Sequence, residues 1–99
     1  MVDIVPSHPG AVLDELFLKP LGWNADETAR RLGVDRTTIE NVIGERQAFD
    51  ADLVVRLARL FGTDEHYWFR FQNAFDAYGA RERAADDLDR IAPYESEAA

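Results

Sequence analysis

The stretch from Asn24 to Arg46 constrains the fold more than any other part of the chain. Asn24 is a good N-cap, and behind it Ala25, Thr28, Ala29 and Leu32 share one helical face until Gly33 supplies a left-handed stop. Asp35 then caps a second short helix whose inward side is Ile39, Val42 and Ile43, closed by Gly44. Two short helices cross steeply only where one offers a side chain small enough for close approach and the link contains a turn residue. Ala29 and Gly33 meet those needs, and Val34, Ile39 and Val42 pin the second helix in place. The second helix is left with an outer edge of Arg36, Thr37, Thr38, Glu40 and Asn41, short or planar polar groups suited to base edges and phosphates in a major groove.

The rest of the chain supplies helices to support that pair. From Pro9 to Lys19 the apolar residues Val12, Leu13, Leu16 and Phe17 recur at three and four, which predicts an amphipathic helix ended by Pro20 and Gly22. Asp50 caps a fourth helix with a stripe of Leu53 or Val54, Leu57, Ala58, Leu60 and Phe61, stopped by Gly62. Thr63 or Asp64 starts a fifth, in which Trp68, Phe71, Phe75 and Tyr78 line one side, and the pattern resumes weakly at Ala85, Leu88 and Ile91 after a bend or interruption at Gly79. Five helices with no alternating strand pattern make an all-α domain. Residues 1–8, containing Pro6, read as a flexible N-terminal arm, residues 9–92 as the domain with its motif at 25–44, and residues 93–99 as a disordered acidic tail.

Composition bounds the function classes. Ninety-nine residues with 46% apolar content suit one modest core. No run approaches the roughly 20 apolar residues needed to cross a bilayer, and Met1-Val2-Asp3-Ile4 lacks the flank of a secretion signal, so no membrane association and a cytoplasmic location are expected. The absence of cysteine removes disulfides, thiolate metal sites and thiol nucleophiles. Net charge is −8, divided as −2 over residues 1–23, −1 over 24–49, −1 over 50–75 and −4 over 76–99. The acid therefore gathers at the C-terminal end, and the segment bearing Arg30, Arg31, Arg36 and Arg46 can still present a positive face. His8 and His66 have no neighbours at metal-ligand spacing, and paired acids such as Asp14-Glu15 and Asp26-Glu27 point to different sides of a helix. No catalytic set, metal or cofactor is expected.

With the crossed pair in view, the stretch from Asn24 to Arg46 resembles the helix-turn-helix of the phage repressor-like, or XRE, family. His8-Pro9-Gly10, Leu21-Gly22, Gly44-Glu45-Arg46, the run Leu57-Ala58-Arg59-Leu60-Phe61-Gly62-Thr63, and Trp68 with Gln72 and Asp76 are further similar to HigA-type antitoxins of toxin-antitoxin modules, over roughly residues 8–92. The resemblance implies a compact five-helix bundle of the lambda-repressor-like DNA-binding type with an extended C-terminal helix. It implies a homodimer that binds double-stranded DNA at a palindromic operator, represses its own operon, and neutralises a small basic toxin of the RelE-like ribonuclease type. The family's base-reading positions fall on Arg36, Thr37, Thr38 and Asn41, with Arg46 beside the backbone. Asn24 and Arg30 complete the expected DNA-binding set; the stripe Trp68, Phe71, Phe75 and Tyr78 most simply packs the domain's own core, and its length suggests that part of it also forms the expected dimer interface. Two residues depart from the family's habit: Ala25 stands where many relatives carry a phosphate-holding glutamine, and Glu45 where a lysine is common. Both changes predict weaker DNA binding, and the alternative is a helix-turn-helix module that binds only a protein partner.

Overall fold

The structure of the protein, a computed structural model, describes residues 5–95. Among the described residues six helices make up the regular structure, and there is no strand. Helix α1 consists of Pro9–Leu13, a wider π-helical turn Asp14–Leu18 and a last turn Lys19–Leu21. It is followed by α2 (Ala25–Leu32), α3 (Arg36–Ile43), α4 (Ala51–Phe61), α5 (Glu65–Arg83) and the short α6 (Ala85–Asp89). Among the described residues no helix is long and apolar enough to cross a membrane.

The helix starts follow from capping chemistry. Asn24, Asp50 and Asp64 each accept a hydrogen bond, at 2.8 Å, from the backbone N–H three residues on, in Glu27, Leu53 and Tyr67. Each such cap contributes about 1 kcal/mol. His8 serves α1 in the same way: its Nδ1 accepts from the Gly10 N–H at 2.9 Å, with Pro9 in the first helical position.

Four expectations are corrected here. Pro20 does not end α1, which runs on to Leu21. A proline ring in a regular helix clashes with the carbonyl four residues back, and the π turn just before it widens the helix, the Lys19 N–H reaching back five residues to Asp14 O. The extra residue also turns the apolar face by one position, so Leu16 is exposed and Leu18 buried. Gly79 does not interrupt α5; the helix passes through it to Arg83, and the break falls at Ala84. Trp68 is not available to a dimer interface, because it is wholly enclosed within its own protomer. Leu88 and Ile91, where the apolar pattern resumes, are exposed, as is Tyr94 in the segment Pro93–Glu95; residues 96–99 of the expected tail and residues 1–4 of the expected arm lie outside the described residues.

The core is built around Trp68. The rings of Phe17, Tyr67, Phe61, Phe49 and Phe71 lie 4.9, 5.1, 5.7, 6.2 and 6.4 Å from it, bringing α1, α4, α5 and the loop before α4 together. Leu13, Leu18, Ile39, Val42, Val54 and Leu57 complete the core, all nearly or fully buried, and side chains of this kind each contribute on the order of 1.5–3 kcal/mol. The polar groups this packing encloses are satisfied. Trp68 Nε1 donates to Thr63 Oγ1 at 2.7 Å, and Thr28 Oγ1 donates to the Asn24 carbonyl at 2.8 Å. Buried Gln72 accepts from the Phe49 N–H at 2.8 Å through Oε1 and donates to Asp76 Oδ1 at 2.9 Å through Nε2.

Where α1 crosses α3 the backbones touch. A Cβ on Gly10 would stand 1.7 Å from the carbonyl oxygen of Val42, so only a residue without a side chain permits this approach. Helix α5 leaves the core after Gln72: residues 73–77 are exposed, and the molecule measures 55 × 27 × 25 Å. Val5 and Pro6 lie along its outer half and form a crevice with Phe75, Asp76, Tyr78, Gly79 and Arg83.

Candidate nucleic-acid interface

Helices α2 and α3 form the crossed pair expected from the sequence. Ala29 is buried at the crossing, and Gly33, at φ 71°, makes the turn, with the Val34 N–H returning to the Ala29 carbonyl at 3.0 Å. Ile39 and Val42 are fully enclosed, which fixes the rotation of α3 about its axis and so decides which side chains face out. A clamp that the sequence does not reveal holds the turn: Arg56 of α4 donates through Nη1 to the carbonyls of Leu32 and Gly33, at 2.8 and 3.1 Å, while its Nε pairs with Asp52 at 2.9 Å. Two carbonyls left over at the end of α2 are thereby satisfied by a side chain 23 and 24 positions away.

The outward edge of α3 carries Arg36 and Thr37, both exposed, with Thr38 and Asn41 half-buried beside them. Arg36 Nε lies 3.4 Å from Glu40 Oε2 one turn further on. At the far end the Arg46 side chain folds back over Gly44, where a Cβ would meet its Nη1 at 2.7 Å, and Nη2 donates to Asn41 Oδ1 at 3.3 Å. The Arg46 backbone N–H donates to the Asn41 carbonyl at 2.8 Å. This closing turn needs a left-handed residue, and Glu45 takes that place at φ 63° with its side chain exposed. Asp35 sits at the cap of α3 without a side-chain hydrogen bond to the helix.

Helix α2 carries the remaining expected contacts. Asn24 is exposed and uses its side-chain oxygen for the cap, so its amide N–H2 is what it can offer a phosphate. Arg30 is exposed and paired with Glu27, which also takes Arg31 Nε at 3.1 Å; Arg31 in turn lies over the Trp23 ring at 4.2 Å. Ala25 is half-buried and packs against the core. Along the α3 edge and its exit, Arg36 and Arg46 are balanced in number by Glu40 and Glu45, of which Glu40 is paired with Arg36, so the face is not uniformly positive. A face so balanced discriminates by the placement of donors and acceptors more than by bulk attraction. Among the described residues no group of three or more His, Cys, Asp or Glu side chains is arranged to hold a metal ion.

Of the expected site residues, Asn24, Arg30, Arg36, Thr37 and Arg46 are exposed and Thr38 and Asn41 half-buried. The aromatic set separates: Trp68 is core, Phe71 is half-buried against Tyr67 at 5.3 Å, and Phe75 is the exposed member, its ring 5.0 Å from that of His8, with Tyr78 half-buried on the same side. The Arg36–Glu40 contact is an addition to the expected site, and its signal in the sequence is the spacing of four on one helix.

No protein-family model matches the chain. Virulence-associated protein I of Dichelobacter nodosus is 35% identical over 91 residues, spanning 92% of this chain and 83% of that protein. The uncharacterised HTH-type transcriptional regulator YbaQ of Escherichia coli strain K12 is 30% identical over 88 residues, 87% of this chain and 78% of its own length. Among solved structures, the Pseudomonas aeruginosa antitoxin HigA with the higBA promoter superposes with a TM-score of 0.84 at 27% identity, covering 91% of this chain and 99% of that one. The same crossed helices, in the same order and over nearly the whole length of both chains, place this protein in the XRE-like helix-turn-helix family of HigA-type antitoxins.

Proposed function

We propose that the protein is a homodimeric, sequence-specific DNA-binding repressor that controls its own operon and neutralises a small basic ribonuclease toxin. The observation that carries this reading is the orientation of α3: with Ile39 and Val42 sealed inside, Arg36, Thr37 and Asn41 are presented together on a convex edge that fits a major groove. In support, a HigA antitoxin of the same fold has been solved with its promoter DNA. Arg36 and Asn41 read bases, Thr37 and Thr38 lie beside them, and Arg46, Asn24 and Arg30 contact phosphates. Two copies are joined along the outer half of α5, with Phe75 at the contact and Phe71 and Tyr78 at its margin, and a palindromic site asks such a pair to hold its two reading helices about 34 Å apart, one turn of DNA.

A mobility-shift titration against the duplex immediately upstream of the chain's own coding sequence, at low and moderate salt, tests the DNA reading. Binding that exceeds binding to a scrambled duplex and weakens as salt rises supports it; equal affinity for both sequences rejects it. Co-expression with the adjacent reading frame tests the antitoxin role, which fails if that frame is harmless alone or remains toxic in the presence of this chain. The interaction-only alternative draws on the exposed Glu45 at the exit of α3, and absence of any shift with retained partner binding would favour it.

A further inference from the structure

The outward edge of α3 contains one residue to which the reading above gives no task. Glu40 lies one helical turn beyond Arg36, with its Oε2 3.4 Å from the guanidinium Nε and the two side chains 61% and 44% exposed for Arg36 and Glu40 respectively. A pair so open to water adds little to folding stability. Its effect falls on what Arg36 can do. A guanidinium carries five N–H donors in a rigid fork, and bidentate recognition of guanine needs two of them, on O6 and N7. With Glu40 on Nε, both terminal nitrogens remain for that task.

We infer that Glu40 is the positioning residue that gives the reading helix its base preference: it holds Arg36 for a guanine and penalises every other site. The penalty follows from the same contact. If Arg36 swings away to a phosphate, as in non-specific binding, Glu40 is left as an unpaired carboxylate against a polyanion. If a guanine stands opposite, Arg36 engages it without leaving its partner, and little side-chain freedom is lost on binding. The balanced charge of the face sharpens the effect, since Arg46 is itself tied to Asn41 at 3.3 Å and Glu45 adds a second negative charge. The inference rests on the DNA-binding reading and deepens it.

The test uses the full chain and two duplexes, the DNA upstream of its own coding sequence and a scrambled duplex of equal length, measured by fluorescence anisotropy. Failure of the unaltered protein to distinguish them would reject the DNA reading itself, before any variant is considered. Given discrimination, Glu40→Ala should bind the scrambled duplex more tightly and lose about tenfold or more of the preference between the two. Glu40→Gln, which keeps an acceptor for Nε but no charge, should lose less, and in an Arg36→Ala background Glu40→Ala should change the preference no further. Thermal melting of each variant confirms that the fold persists. A preference unchanged in Glu40→Ala, a loss in Glu40→Gln equal to that in Glu40→Ala, or a further loss in the Arg36→Ala background would each overturn a positioning role exerted through Arg36.

Discussion

Gly10 and Gly79 both lie in helices, and replacing each with alanine should move stability in opposite directions. In an open helix the change is favourable by about 0.5–1 kcal/mol, because glycine has more backbone freedom to lose on folding. At Gly79 the new methyl group meets only the Arg83 guanidinium, with Nη1 at 3.0 Å, the far end of a side chain that can move aside. Gly79→Ala should therefore stabilise by about that amount. At Gly10 the methyl would stand 1.7 Å from Val42 O and 2.6 Å from Val42 C, both backbone atoms. Ordinary carbon-to-oxygen contact begins near 3.3 Å, so α1 and α3 must part by roughly 1.6 Å. Overpacking usually costs about 1–3 kcal/mol when side chains can yield, and here two helix backbones must move, which sets the net loss at about 3 kcal/mol. For a domain of this size that corresponds to a fall in melting temperature of about 12–24 °C. Circular dichroism melts of the two variants beside the unaltered protein provide the measurement. A Gly10→Ala variant that melts within about 2 °C of the parent, or above it, would refute the close approach of α1 to α3, since the gain in helix propensity alone would raise it by about 2–8 °C.

Other outcomes follow from the same geometry. Arg36→Ala should cost on the order of 1–3 kcal/mol of binding to the upstream duplex and relax sequence choice, whereas Arg46→Ala should weaken all duplexes alike; identical profiles for the two in competition assays would refute the division of labour. Glu45→Gly should raise stability by about 1 kcal/mol by relieving the left-handed backbone at φ 63°, while Glu45→Ala removes the charge but keeps the strain, so equal melting of the two would count against strain. Phe75→Asp should leave the helical signal unchanged and convert a dimer to a monomer in sedimentation equilibrium, and a persisting dimer would move the interface elsewhere on the molecule.

The crossed pair is legible in the sequence because each of its requirements is local. A small residue at Ala29, a left-handed stop at Gly33, and apolar spacing through Ile39 and Val42 can all be read within a short window, and the structure uses each of them as expected. The same holds for the caps at Asn24, Asp50 and Asp64. What escapes depends on partners far apart in the chain. Arg56 reaches the α2 carbonyls from α4, Gln72 reaches Phe49 from α5, and nothing near Gly10 announces that Val42 lies above it. Helical periodicity also misjudges Leu16, because the π turn before Pro20 shifts the face of α1, and it cannot say which members of the aromatic stripe face a partner, because the spacing is the same whether a ring packs inward or outward.

Gln72 has a consequence for the way two copies would be spaced. A directional bond from a side-chain amide to the Phe49 backbone fixes the loop against α5 more narrowly than apolar contact alone. The loop leaving the reading helix is therefore indexed to a single rung of α5. If two copies meet along α5 as proposed, the level at which they meet would set the gap between half-sites, and one helix would act as the ruler for the operator.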